Sequence, residues 1–151
     1  MKKSLFLQLT ITLFFFFIAA AVQAMNMDHG KDHSGMDMGG EKIMLGNDMQ
    51  NGVMAMAHLL DIKEKMQGHG MAQTHHFMVI FKDHKSDKTL DSGVVAVKVI
   101  DPAGKKQKAI KLMGMDDSFG ADVILDKQGN YTFEVGTKLS DDITRQFRFT
   151  Y

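Results

Sequence analysis

Fourteen methionines and seven histidines stand in a chain of 151 residues that has no cysteine and no tryptophan. A thioether sulfur is soft and uncharged, so beside an imidazole nitrogen it makes a donor pair suited to Cu(I) and Ag(I). The densest run is Met25, Met27, His29, His33, Met36 and Met38, six donors within fourteen positions. Imidazole also accepts Cu(II), zinc or nickel, and Asp28, Asp32 and Asp37 add hard oxygens that would help hold Cu(II). The competing reading is a solvated linker with incidental Met and His, against which methionine is an uncommon choice for a purely soluble spacer.

A second set of donors lies further along. Read as a strand, Val53 to Asp61 carries Met54, Met56 and His58 on one face and Val53, Ala55, Ala57 and Leu59 on the other. A following strand offers His76 and Met78 on one face, with His75, Phe77, Val79 and Phe81 opposite. In Met113-Gly114-Met115-Asp116 two thioethers flank a glycine whose backbone freedom lets both sulfurs turn to one ion. Loop residues Met66, His69 and Met71 would close such a site from above. Singly, each has an ordinary explanation: methionine fills cores, paired histidines make structural hydrogen bonds, and Met-Gly-Met makes turns. Together they repeat one ligand pairing, and the expected shell is His58, His76, Met113 and Met115, with Met56, Met78 and His75 as further candidates.

The elements that must position these residues read as strands. From Thr74 onward the pattern has period two between closely spaced turn residues, as in an antiparallel sandwich or barrel. The expected strands are Thr74 to Lys82, Gly93 to Ile100, Lys108 to Met113, Ala121 to Leu125, Tyr131 to Thr137 and Thr144 to Tyr151. Asp101-Pro102-Ala103-Gly104 and Asp126-Lys127-Gln128-Gly129-Asn130 separate them as turns. Tyr131, Phe133 and Val135 share one face, as do Phe147, Phe149 and Tyr151, and these faces are the expected core. Asn51 to Gln67 fits both periods: its Ala, Met, Leu, Lys and Glu content favours a helix locally, whereas an all-β remainder offers a partner for one more strand. A strand over Val53 to Asp61, then a loop over Gly68 to Gln73, is the preferred reading.

The first 24 residues carry Lys2 and Lys3, an apolar run from Ile11 to Val22 and the small residues Ala19, Ala20, Ala21 and Ala24, the order of a cleavable secretory signal. An uncleaved anchor is the alternative, since the run stretched to Leu5 approaches bilayer length. Gln8, Thr10 and Thr12 interrupt it. Removal leaves about 127 residues, enough for one core. Residues 25–44 are then a disordered Met/His-rich tail, the run over 25–40 having no branched aliphatic residue to bury, and 45–151 are the β domain. With 18 basic and 18 acidic residues, the chain offers no electrostatic case for nucleic acid or an anionic membrane. Without a Ser/His/Asp motif, a phosphate loop or a cysteine for blue copper, an enzyme is not expected.

Met27-Asp28-His29-Gly30 and Asp32-His33-Ser34-Gly35-Met36-Asp37 resemble the Met-Asp-His-Ser-Met repeats of bacterial periplasmic copper-resistance proteins, which implies copper or silver as the metal and the periplasm as the compartment. The stretch Leu112 to Val123 is similar to the Met-containing segment of the periplasmic iron- and copper-binding proteins that serve ferrous-iron permeases. That resemblance implies an immunoglobulin-like antiparallel β-sandwich and Met and His ligands, with His58 matching the early-strand ligand. Where that family has a histidine before its aromatic-Gly-Ala run, this chain has Ser118. Thr74 to Tyr151 also resembles small exported proteins met beside metal-efflux systems, in its Thr-His-His-Phe-Met-Val strand and Leu-Met-Gly-Met loop. The expected function is a periplasmic Cu(I)/Ag(I)-binding chaperone, buffer or resistance factor that passes ions to a membrane efflux or transport protein. The alternative is a non-catalytic module that docks onto such a complex, with no membrane span of its own once the signal is removed.

Overall fold

Alternating apolar residues pair into antiparallel strands because each strand then buries one face and satisfies its backbone laterally. The computed structural model describes residues 40–151; the expected signal over 1–24 and the tail donors Met25, Met27, His29, His33, Met36 and Met38 lie outside the described residues. In chain order the elements are β1 (Lys42–Gln50), β2 (Val53–Asp61), α1 (Lys63–Gly68), β3 (His75–Asp83), β4 (Gly93–Ile100), β5 (Ile110–Lys111), β6 (Met113–Met115), β7 (Ser118–Val123), β8 (Thr132–Leu139) and β9 (Thr144–Thr150). They form a five-stranded sheet in the order β1-β2-β3-β7-β6 and a four-stranded sheet in the order β5-β4-β8-β9, every pairing antiparallel.

Both sheets contribute to one buried cluster: Val53, Ala55, Ala57 and Leu59 on β2, Phe77, Val79 and Phe81 on β3, Val95, Val97 and Val99 on β4, and Phe133, Val135, Phe147 and Phe149 on β8 and β9. Phe77 stacks on Phe133 with ring centres 5.0 Å apart, and Phe81 meets Phe147 at 5.4 Å. At the sheet edges, the Arg148 backbone N–H donates to Asp48 Oδ2 over 2.9 Å, tying β9 to β1.

Three elements differ from the sequence reading. A strand, β1, precedes the ambiguous segment and starts at Lys42, inside the stretch expected to be tail; it pairs with β2 through a two-residue turn in which Asn51 (φ 46°) and Gly52 (φ 76°) are both left-handed, the turn whose twist suits a hairpin. The helical tendency of 51–67 is realised only in α1, after β2 has taken Val53 to Asp61. The expected single strand Lys108 to Met113 is two strands in two sheets. β5 pairs with β4, the chain crosses at buried Leu112, and β6 pairs with β7. That crossing delivers Met113 and Met115 to the sheet that carries His58 and His76.

Candidate metal centre

With Phe77, Val79 and Phe81 in the core, period two turns His76 and Met78 to the opposite, outer face of the five-stranded sheet, and the same rule turns Met56, His58, Gly120 and Asp122 outward. Register then lines up one residue from every strand: Met44 opposes His58, His58 opposes Met78, Met78 opposes Gly120 and Gly120 opposes Met113. A row of Met, His, Met, Gly and Met crosses the whole sheet.

Gly120 is the low point of that row. A Cβ placed on it would lie 2.5 Å from Met115 Cε, 2.7 Å from His76 Nε2 and 3.0 Å from the Phe77 carbonyl oxygen. The methionine methyl and the imidazole nitrogen therefore reach over Gly120 from opposite diagonals, into space that only glycine leaves open. Met78 and Met113 flank Gly120 on the adjoining strands. Met78 is half-buried, and Met113 is 73% exposed at the sheet edge.

His76 is held in place by Asp122. Its Nδ1 lies 2.6 Å from Asp122 Oδ1; a carboxylate only accepts, so Nδ1 donates, and in the neutral ring this leaves the lone pair on Nε2. Nε2 is fully buried and has no hydrogen-bond partner among the described residues, an arrangement that costs about 1–3 kcal/mol where nothing binds the nitrogen. This carboxylate–imidazole pairing is the one that orients metal-ligating histidines. Among the described residues no three His, Cys, Asp or Glu side chains gather into a metal site; the side chain that meets His76 over Gly120 is that of Met115.

The other expected ligands are distributed by the same register. His58 is buried on the outer face between Met44 and Met78, and burial, then the Lys42 charge, then His76 push its pKa down to about 4. Met56 shares that face but opposes Asn47 and Ile80, two residues along β2 on the side away from His76. His75 points to the opposite face of β3 from His76; its Nδ1 is 2.9 Å from the Thr74 hydroxyl and its ring packs 5.7 Å from that of Tyr151, which satisfies it structurally. Met66 is half-buried on α1, and His69 and Met71 are exposed beyond it. Gly120, Asp122 and Met44 were not singled out by residue type. A glycine inside an alternating strand signals close approach, but the partners of Asp122 and Met44 follow only from register.

The depressed His58 pKa carries a stability consequence. Between about pH 6.5 and 4 the unfolded chain binds a proton at this histidine that the folded chain refuses, so the contribution is complete above pH 6.5 and is lost as the pH falls toward 4. Its size is of order 1–3 kcal/mol. Urea midpoints measured from pH 7 to 4 should fall more steeply for the wild type than for His58→Gln; parallel curves would disprove it.

No family model, curated protein or solved structure matches the chain. No helix among the described residues is long and apolar enough to cross a membrane.

Proposed function

We propose that the protein carries Cu(I) or Ag(I) as cargo outside the cytoplasm, as a non-catalytic chaperone, buffer or resistance factor. In this reading residues 1–24 are a cleaved export signal, the two sheets form an immunoglobulin-like β-sandwich, and the Met/His tail captures ions in the periplasm. The observation that carries it is the buried Nε2 of His76, unpartnered among the described residues, meeting Met115 over Gly120. An imidazole with neutral thioether neighbours suits a soft monovalent ion, whereas structural zinc is held by four thiolate, imidazole or carboxylate ligands. Ion binding would satisfy the orphaned nitrogen. Thioether bonds exchange one at a time, so a half-exposed site with Met113 at its rim can pass its ion to an efflux or transport partner.

Competition of the mature protein against a Cu(I) chelator tests this. The wild type should take the ion from the chelator, and Asp122→Asn, which loses the acceptor that fixes His76, should bind about 10–100-fold more weakly. Failure of the wild type to compete at any chelator strength would overturn the proposal.

A further inference from the structure

The row across the sheet contains a second group of donors beyond the Gly120 site. Met44 and His58 are direct cross-strand partners on β1 and β2, and Met78 is the next position in the same row. Directly opposed residues have Cβ atoms about 4.5–5.5 Å apart, so the Met44 thioether and the His58 ring can reach one ion. The Gly120 cradle lies on the far side of Met78.

We infer that Met44 and His58 form a second soft-metal position on this face, joined through Met78 to the His76–Met115 position, so that an ion can step across the sheet. The inference rests on the metal-binding reading above and adds a second stop to it. Several features give the positions different strengths. His58 is buried on the outer face, between Met44 and Met78 in the register. The charge closest to His58 in effect is that of Lys42, which repels a cation, while His76 has the Asp122 carboxylate 2.6 Å away. Met44 is 61% exposed, so one ligand of the second position faces water. The Met44–His58 position is therefore the weaker, by about tenfold or more, and the ion runs toward Gly120. Met44 also stands six residues after Met38, the last donor of the tail, so the weak position is the one nearest in sequence to the segment proposed to capture ions.

Titrating the mature chain with Ag(I), which stays monovalent and diamagnetic, while following the methyl signals of Met44, Met78, Met113 and Met115 and the ring signals of His58 and His76, tests the inference. Met115, Met113 and His76 should saturate first, and Met44 and His58 should move only at later additions. Met44→Leu with His58→Gln should remove the late phase and leave the early one. His76→Gln with Met115→Leu should do the reverse, which also shows that each variant is folded. If Met44 and His58 follow the Met115 curve, one shared site replaces two, and if they never move the second position does not exist; in both cases the inference falls while the metal-binding reading stands. If no signal on the sheet responds, both fall.

Discussion

Gly120→Val is expected to weaken Cu(I) binding by about 100-fold or more, the largest loss from any change that removes no donor atom. The new side chain begins where Met115 Cε and His76 Nε2 now lie, at 2.5 and 2.7 Å from its Cβ, with the Phe77 carbonyl oxygen at 3.0 Å beneath. The methionine end is flexible and gives way. The imidazole is pinned by Asp122 and the carbonyl belongs to the β3–β7 ladder, so His76 cannot follow. The two donors are then separated, and the strain of overpacking costs about 1–3 kcal/mol of stability as well. Gly136→Ala supplies the control: it lies on β8 in the other sheet, with open space around its Cβ position. Chelator competition and thermal melts of both variants should show a lost affinity only at position 120. Wild-type affinity in Gly120→Val would mean that His76 and Met115 do not act on one ion.

The difference between these two glycines shows what a sequence can and cannot carry. Period two over Thr74 to Tyr151 and the turns at Asp101 and Asp126 were enough to read antiparallel strands, because alternation and turn chemistry are local properties. They were also enough to put His76 and His75 on opposite faces of β3, where they lie. β1 is harder to read: Gly46, Asn47 and Asp48 are poor strand formers, and the register shifts between Met44 and Gly46. Only Asn51-Gly52, the strongest two-residue hairpin signal, points back to it. Nothing local distinguishes one strand over Lys108 to Met113 from two strands in different sheets. The crossing is decided by Leu112 finding the core. Once it occurs, register sets the neighbours, giving Met78 to Gly120 and Met44 to His58. Residue type alone grouped His58 with Met113 and Met115, but three cross-strand steps separate His58 from Met113.

Phe77→Ala should be the most destabilising single change, at about 3–5 kcal/mol. Its ring is fully buried and lies nearly parallel to that of Phe133, 11° apart in plane, so truncation opens a cavity where the two sheets meet and also removes an aromatic contact. Against a total of about 5–15 kcal/mol for a domain of this kind, the melting temperature should fall by about 10 °C or more. The change should also be felt on the other face of the same strand, because Phe77 sits between His76 and Met78, and its carbonyl forms the floor beneath Met115 and His76. A looser β3 cannot hold His76 at its place over Gly120, so ion affinity should drop although no ligand has changed. The coupling runs in reverse too: an ion that binds only the folded chain stabilises it by about 2.7 kcal/mol at a hundredfold excess over Kd. Adding Ag(I) at that excess should therefore recover much of the lost melting temperature in Phe77→Ala and clearly less in Phe77→Ala with His76→Gln, where only the weaker Met44–His58 position remains. Equal recovery in both would place the stabilising ion elsewhere and separate the core from the site.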